Sequence, residues 1–175
     1  LSDIWNVGWR TARLCANETY MDCPYYEQLQ YLGDRRIQGQ ISLYVSGDDR
    51  LVRNAIEQFH QSQIPDGLTR DAYPAGESKF IPPFSLFWIS MLYDYSWYRN
   101  DKDFVDKYII PMESILKWFE NRLDKKSGML GKTEYWNFVD WTFTSKGVPP
   151  GGLGGNSSIL SLHYAYTLDQ AAALF

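Results

Sequence analysis

The chain is organised around one stretch near its start, which reads Thr19-Tyr20-Met21-Asp22-Cys23-Pro24-Tyr25-Tyr26-Glu27-Gln28-Leu29-Gln30-Tyr31-Leu32-Gly33-Asp34-Arg35-Arg36. Pro24 lacks a backbone N–H and disfavours the helical conformation at Cys23, so no helix is expected to run through this point. Gly33 followed by Asp34 indicates a break and then a helix N-cap. The stretch is therefore predicted to be an irregular connection between two helices.

The same connection sets three carboxylates, Asp22, Glu27 and Asp34, among four tyrosines. Loops that a rigid helical scaffold holds in place often carry the chemistry of a protein. Aromatic rings stack on the apolar face of a pyranose, and acidic side chains bind sugar hydroxyls or transfer protons. The composition of this stretch therefore predicts a carbohydrate site.

Composition argues against several classes of partner. The 175 residues include 17 basic and 21 acidic side chains, for a net charge of −4 without runs of Lys or Arg. Neither nucleic acid nor an anionic membrane surface is therefore expected to bind. No apolar run reaches the length of a transmembrane helix, so membrane insertion is not expected. A chain of this size is long enough for one domain with a substantial core.

Metal and cofactor sites are not predicted. Cys15 and Cys23 do not make a disulfide framework and are expected to be buried thiols. His60 and His163 have no Cys or His at metal-binding spacing and are expected to be structural. The glycine-rich run at 151–155 lacks the Lys and the Ser or Thr of a phosphate-binding loop. The chain is thus expected to use neither a metal ion nor an organic cofactor.

Apolar residues recur at helical spacing through most of the chain, and no long stretch alternates with the period of two typical of a strand. Residues 62–83 are rich in Pro and Gly and are predicted to form a long loop, of the kind that usually has a function. The segment 84–99 is apolar on nearly all sides, which predicts a buried helix. Helices are predicted at about 3–18, 34–46, 49–61, 84–99 and 102–123, and from about 157 to the end.

A short internal repeat joins these helices into pairs. Residues 46–52 and 99–105 share one pattern, in which a stop residue and a capping acid connect two helices through a tight turn. Gly47-Asp48 provides these residues in the first copy and Asn100-Asp101 in the second. The fold class is therefore predicted to be all-α and built of helix hairpins.

Glu27 has two interpretations. A general acid for glycoside cleavage must carry a proton near neutral pH, which requires apolar surroundings that raise its pKa. Tyr25, Tyr26, Leu29 and Tyr31 are the residues that would supply them. Alternatively, Glu27 is a surface carboxylate in a tyrosine-rich loop, and the spacing alone favours neither interpretation.

The other acids also have structural alternatives. Asp34 is suited to be a helix N-cap, and Asp22, just before Cys-Pro, is suited to an Asx turn. Asp140 lies between Val139 and Trp141, and an acid flanked by large apolar groups costs free energy unless it has a partner. Asp140 is therefore harder to explain without a function.

Several of these residues together resemble the signature of a known family. Asp22-Cys23-Pro24, Glu27-Gln28-Leu29, Tyr31 and Gly33-Asp34 look like the Asp-Cys-Pro, Glu-Arg-Leu, aromatic and Gly-Asp pattern of bacterial α-L-rhamnosidases in glycoside hydrolase family 78. Val139-Asp140-Trp141 is similar to the family's later Gly-Asp-Trp. Gln28 and Val139 depart from the pattern. The resemblance covers most of the chain.

The resemblance implies an (α/α)6 barrel of six helix hairpins and an inverting hydrolysis that releases terminal α-L-rhamnose. It places the catalytic general acid on Glu27, the rhamnose-binding acids on Asp22 and Asp34, and the binding aromatics on Tyr31 and Trp141. Two further residues, Trp136 and Asp140, complete the set, and they belong to the loop around residues 135–141, here called the aromatic loop. The candidate substrate-binding residues are thus Asp22, Tyr31, Asp34, Trp136, Asp140 and Trp141.

The chain is expected to be a fragment of a longer protein, because it starts at Leu1 rather than Met and stops at Phe175 inside a predicted helix. About six helices are half of what six hairpins need, and the resemblance puts the general base beyond residue 175. We therefore expect residues 1–175 to hold the general-acid half of the site and to be inactive alone. The expected partners are a carbohydrate substrate and the remainder of the polypeptide, with the rest of the barrel and β-sandwich domains.

A second class of function is open at this point. A non-catalytic carbohydrate-binding or interaction module would keep the aromatic cleft without the chemistry. A Glu in a helix–loop context after residue 175 in the full-length gene would favour the glycosidase. The compartment is equally open, between the cytoplasm and the periplasm or exterior of a bacterium.

Overall fold

A computed structural model of the chain describes residues 1–143 and 145–175, and its regular secondary structure is almost entirely helical. Two strands of two residues each, β1 (Ala16–Asn17) and β2 (Thr19–Tyr20), pair antiparallel. The all-α fold class predicted from the sequence is confirmed. The helices are α1 (Ser2–Leu14), α2 (Leu32–Val45), α3 (Arg50–Gln61), α4 (Pro82–Arg99), α5 (Lys102–Val105), α6 (Ile109–Glu120) and α7 (Ser158–Ala172), with a 3₁₀ turn at Asp106–Tyr108.

Helix α4 forms the centre of the fold, and α2, α3, α6 and α7 pack against it. Pro82 and Pro83 open the helix at positions where no N–H donor is needed. Trp88 is fully buried, and its indole N–H donates to the carbonyl of Ile56 on α3 at 2.9 Å. The buried helix predicted from the apolar pattern is confirmed. No helix in the described part of the chain is both long enough and apolar enough to cross a membrane.

One buried ion pair ties three of these helices together. Asp94 on α4 is buried, and its Oδ2 accepts a hydrogen bond from Nε of Arg36 on α2 at 2.8 Å. Nη2 of Arg36 also donates to the hydroxyl of Tyr166 on α7 at 3.2 Å. A buried carboxylate is costly unless it is paired, so this contact fixes how α2 and α7 sit on α4.

The tight turns that the internal repeat predicts lie side by side. Gly47 ends α2 with φ 69° and Asn100 ends α4 with φ 47°, both left-handed conformations. The carboxylate of Asp101 accepts the N–H of Phe104 at 3.1 Å and so caps α5. The guanidinium of Arg99 donates to the carbonyl of Gly47 and joins one turn to the other. Two neighbouring helix pairs result.

Helix α2 begins two residues earlier than the sequence predicts. Tyr31 is its N-cap residue, so Gly33 and Asp34 lie in the first helical turn, and the interpretation of Asp34 as the N-cap is wrong. The cause is the long loop before α4, where the carbonyl of Asp71 accepts the N–H of Leu32 at 2.9 Å. This bond satisfies a donor at the helix terminus that a capping side chain would otherwise bind. A distant segment therefore decides where α2 starts.

The structure also shortens two predicted helices. Helix α1 stops at Leu14 because the following residues turn back as β1 and β2, with Glu18 between them at φ 54°. The helix predicted at 102–123 is split by the 3₁₀ turn, and α6 then starts at Ile109. Pro111 falls in the first turn of α6, where its missing N–H breaks no hydrogen bond.

Helix α1 lies on the outside and buries none of its residues. Ile4 and Trp5 are 74% and 56% exposed and line an apolar groove with Ile41 and Tyr44 of α2. Contiguous exposed apolar surface is typical of a face that contacts another protein surface.

We expect the 175-residue chain, when produced alone, to self-associate through this groove, because association removes its apolar surface from water. The double substitution Ile4→Glu and Trp5→Glu should shift the chain towards monomer. Asn6→Glu, also exposed on α1 but outside the groove, should leave association unchanged. Light scattering on size-exclusion fractions measures all three proteins. A wild-type chain that stays monomeric as its concentration rises would contradict this expectation.

Candidate active site

A pocket of about 400 Å³ opens between the loop that precedes α2, the first turns of α2 and α4, and the aromatic loop before α7. All seven site residues predicted from the sequence line it, although they come from two segments far apart in the chain. The predicted members are Asp22, Glu27, Tyr31, Asp34, Trp136, Asp140 and Trp141, and the further lining residues are Gly33, Ile37, Ile81, Phe84, Phe87, Phe138 and Val139.

The loop from Asp22 to Leu29 is closed by two hydrogen bonds between its ends. The N–H of Asp22 donates to the carbonyl of Leu29 at 2.9 Å, and the Asp22 carboxylate accepts the N–H of Leu29 at 2.9 Å. The bond from Leu29 to the Asp22 side chain joins residues seven positions apart, whereas an Asx turn joins residues two positions apart. The Asx turn considered for Asp22 is therefore not formed. Oδ1 of Asp22 holds the loop, and its carboxylate also lines the pocket.

Gln30 anchors this closed loop to the scaffold. Its side chain is buried, and its Nε2 donates to Oε1 of Gln58 on α3 at 2.7 Å and to the carbonyl of Tyr73 at 2.8 Å. Its Oε1 accepts the N–H of Tyr20 at 3.3 Å. A buried amide with partners on both ends fixes a loop strongly, because breaking any of these bonds leaves an unsatisfied polar group.

Glu27 lies at the mouth of the pocket and is exposed. The hydroxyl of Tyr31 donates to Oε2 of Glu27 at 2.7 Å and so orients the carboxyl group. Tyr25 and Tyr26 are 77% and 89% exposed, so the apolar enclosure expected from these two rings is not formed. The reason is the loop closure, which turns the two rings to solvent while Tyr31, at the N-cap of α2, stays beside Glu27.

Tyr31 keeps its proton over the physiological range. Burial raises the pKa of its hydroxyl, and the hydrogen bond to Glu27 and the negative charge of that residue raise it further. Tyr31 is therefore a permanent donor to Glu27. Since its backbone also begins α2, the residue couples the orientation of the Glu27 carboxyl to the start of a helix.

Asp34 projects from the first turn of α2 into the pocket. Asp34 is exposed to solvent, but the protein groups around its carboxyl partly desolvate it and thereby raise its pKa. The positive charge of Arg35 opposes the rise. A carboxyl group in this environment pairs readily with the hydroxyls of a bound molecule.

Arg35 supports the pocket from behind and was not among the predicted residues. It is fully buried, and its Nε donates to the carbonyl of Tyr31 at 2.9 Å. Its Nη1 and Nη2 have no hydrogen-bond partner among the described residues, and burial lowers its pKa to about 10, so it stays charged. The nearby negative charges are those of Asp34 and Asp22. An arginine in a helix is usually a surface residue, so no local pattern in the sequence identified Arg35 as buried.

The floor and the second wall of the pocket are aromatic. Phe84 and Phe87, from the first two turns of α4, lie under the pocket, and the ring of Phe138 meets Phe84 edge-on at 6.0 Å. Trp136 and Trp141 each lie 4.9 Å from Phe138, measured between ring centroids. The sequence marked α4 as buried but gave no sign that its first phenylalanines floor a pocket.

Asp140 differs from the other acids of the pocket. It is exposed, so its position between two apolar residues does not bury it. The N–H of Thr142 donates to Oδ1 of Asp140 at 2.8 Å, and hydrogen bonds from Thr142 hold the pKa of the carboxyl below its usual value. The pocket therefore holds two carboxyl groups, those of Asp34 and Asp140, whose environments shift their pKa values in opposite directions.

The arrangement suits a small polyol with apolar faces. Four carboxylates offer hydrogen-bond acceptors, the aromatic wall offers stacking surfaces, and the floor is apolar. Within the described residues, no group of three or more His, Cys, Asp or Glu side chains is arranged to hold a metal ion.

Comparisons with known proteins identify the family and the fold of the domain. A family model described as the bacterial alpha-L-rhamnosidase 6 hairpin glycosidase domain matches residues 1–174. The chain is similar to the crystal structure of a GH78 family rhamnosidase of Bacillus sp. GL1, with a TM-score of 0.85 and 27% identity over 97% of this chain and 17% of that one. It shares the fold of a rhamnosidase from Klebsiella oxytoca with rhamnose bound, with a TM-score of 0.73 and 20% identity.

The second similarity covers 97% of this chain and 36% of the Klebsiella chain. The chain therefore spans well under two thirds of the length of either solved relative. No curated protein matches it.

Gly33→Ala tests how closely α2 approaches the pocket floor. A Cβ atom at Gly33 would lie 2.9 Å from the Phe84 ring, which is packed between Phe87 and Phe138 and has little room to move. We expect the free energy of unfolding to fall by about 1–3 kcal/mol, as for overpacked cores.

The matched control is Gly39→Ala on the same helix. Its Cβ would meet Val52 at an ordinary 3.5 Å, so the better helix propensity of Ala should raise stability by up to about 1 kcal/mol. Urea unfolding of both variants measures the difference. Equal stabilities would show that the Phe84 ring moves aside freely.

Asp34→Asn and Asp140→Asn should change stability in opposite directions at neutral pH. Burial raises the pKa of Asp34 above its ordinary 3.8, so its ionised form destabilises the fold above that pH, and Asn should stabilise it. The gain should vanish as the pH falls below the unfolded value. Asp140 has a lowered pKa, so its charge stabilises the fold above about pH 4 and Asn should lose that contribution. Urea unfolding at pH 7 and pH 3 measures both, and changes of the same sign at pH 7 would contradict the assignment.

Proposed function

We propose, from the premise that this chain belongs to the family of bacterial α-L-rhamnosidase six-hairpin glycosidase domains, that it forms part of a catalytic domain which hydrolyses terminal α-L-rhamnosides with inversion. The family match and the similarity to the GH78 rhamnosidase confirm the family resemblance found in the sequence. The domain is thus of the glycoside hydrolase class. The sugar, the inverting mechanism and the residue roles follow from the family resemblance, and the pocket supports them.

One observation carries the proposal. Two segments that lie far apart in the sequence each bring acids and aromatic rings into a single pocket, and the candidate general acid is at its mouth. An isolated surface carboxylate would have no reason to face three further acids and two tryptophans. This convergence favours a glycosidase site over the structural interpretation of each acid taken alone.

Glu27 is the proposed general acid. In an inverting cleavage, water attacks the anomeric carbon while the bond from that carbon to the glycosidic oxygen breaks, and the acid gives its proton to the leaving oxygen. Tyr31 would hold Oε2 of Glu27, which leaves Oε1 directed to the substrate. Glu27 is exposed here, so a bound substrate would have to exclude water from around the acid.

The remaining candidates would bind the sugar. Asp22 would use its Oδ2 to accept sugar hydroxyls, since its Oδ1 holds the loop, and Asp34 and Asp140 would accept others. Trp136, Trp141 and Tyr31 would stack on or border the apolar faces of the ring. The apolar floor favours a 6-deoxy sugar such as rhamnose, because a methyl group in place of the C6 hydroxymethyl leaves no hydroxyl to bury without a partner.

The second catalytic carboxyl would come from the rest of a longer polypeptide. An inverting pair stands about 6.5–9.5 Å apart, with the attacking water between the two groups. This chain spans 17% and 36% of the two solved rhamnosidases, which leaves ample length for further hairpins and other domains. Produced alone, residues 1–175 would lack the group that deprotonates water and would be inactive.

A carbohydrate-binding module that lacks the chemistry is the alternative. It would use the same acids and rings for affinity and would give Glu27 no special role. The two functions therefore differ in what a change at Glu27 does to the rate of bond cleavage.

In the complete enzyme, Glu27→Gln should lower kcat by about 10²–10⁴-fold, the usual loss for a general acid. Aryl rhamnosides with acidic leaving groups should lose least, because they need little protonation. Glu113→Gln, an exposed glutamate on α6 outside the pocket, should leave the rate unchanged. Initial rates on a series of substituted phenyl rhamnosides measure the effect. A small loss that is the same for every leaving group would show that Glu27 only binds or supports.

A further inference from the structure

Two tyrosines beside the candidate general acid have no role in the core or in the pocket. Tyr25 and Tyr26 are 77% and 89% exposed, and their rings pack edge-to-face on each other with centroids 5.1 Å apart. Neither ring lines the pocket that Glu27 borders. Large exposed aromatic rings are typical of binding surfaces.

The loop holds these rings in a fixed relation to Glu27. Besides the two bonds that close it, the side-chain amide of Gln28 donates to the carbonyl of Pro24 at 3.0 Å, and the N–H of Glu27 donates to Sγ of Cys23 at 3.2 Å. Both bonds span the two tyrosines. The backbone under Tyr25 and Tyr26 is therefore a rigid turn rather than a free tip.

The chemistry of a general acid decides what lies next to it. The proton of Glu27 goes to the glycosidic oxygen, which joins the sugar in the pocket to the leaving group. The leaving group must therefore extend from the pocket mouth on the side of Glu27. Tyr26 and Tyr25 directly precede Glu27 in the same closed loop, and both rings are exposed to solvent.

We propose that Tyr25 and Tyr26 form the binding site for the leaving group and select leaving groups that present a flat ring with an apolar face. The inference rests on the proposed function, because it assumes that Glu27 protonates a glycosidic oxygen. Such a ring, aromatic or pyranose, can stack on one tyrosine while the edge of the other borders it.

The test compares substrates with and without a ring in the leaving group, on the complete enzyme. The substrates are 4-nitrophenyl α-L-rhamnoside, a disaccharide of α-L-rhamnose on glucose, and α-L-rhamnosyl fluoride. Fluoride carries no ring, so it should gain nothing from the tyrosines. For Tyr25→Ala and for Tyr26→Ala, we expect the ratio of kcat/KM on a ring-bearing substrate to kcat/KM on the fluoride to fall about 2- to 10-fold.

The controls separate stacking from other effects. Tyr25→Phe and Tyr26→Phe keep the rings and should restore most of the ratio. Tyr44→Ala removes an exposed tyrosine from α2, outside the pocket, and should leave the ratio at the wild-type value. If the ratio falls for the nitrophenyl substrate alone, the site binds aromatic leaving groups. If the ratio falls for the disaccharide, the site binds a sugar.

Two results overturn the inference in distinguishable ways. Equal losses on the fluoride and on the ring-bearing substrates, or no loss on any of them, would show that the tyrosines do not contact the leaving group, while the proposed function stands. A wild-type enzyme that hydrolyses none of the three substrates would overturn the proposed function and the inference with it.

Discussion

Helix α4 is apolar on nearly all sides, so it is stable only where other helices cover it. Burying a large apolar side chain contributes about 1.5–3 kcal/mol, which makes this helix the main source of packing free energy in the chain. Helices α2, α3, α6 and α7 are placed by the need to cover it. The pair of Asp94 with Arg36 adds orientation, because a charge on the buried helix must meet its partner.

The same helix makes the pocket possible. Its first turns carry Phe84 and Phe87, which line the pocket, and the ring of Phe138 from the aromatic loop meets Phe84 edge-on. Helix α2 approaches this floor closely at Gly33, and the next residue, Asp34, lines the same pocket. Partial desolvation raises the pKa of this carboxyl group, so its ionised form costs some stability. Arg35, buried beneath, limits that cost with its charge.

The acids of the two pocket loops are held in place in different ways. Asp22 and Glu27 belong to a loop that is closed on itself and pinned through Gln30, so their geometry depends on hydrogen bonds to distant segments. Asp140 is held within its own loop, where its carboxylate accepts the N–H of Thr142 and its own N–H donates to the carbonyl of Gly147. Helix α1 is different again. It buries none of its residues, so the core of this chain does not explain its position. That face is what a further hairpin of a six-hairpin domain would be expected to cover.

The sequence by itself determined the helices, the buried character of α4, the tight turn at Asn100-Asp101 and, largely through a family resemblance, the identity of seven of the residues that line the pocket. These features depend on local periodicity, on residues with special backbone preferences, or on a short pattern of side chains. The start of α2 at Tyr31, the exposure of Tyr25 and Tyr26 and the burial of Arg35 were decided only by the tertiary structure. The bond from Leu32 to Asp71, the anchoring of Gln30 and the packing around Arg35 join segments that are distant in the chain. Local sequence cannot specify such contacts, because they exist only once α4 has gathered the other helices around it.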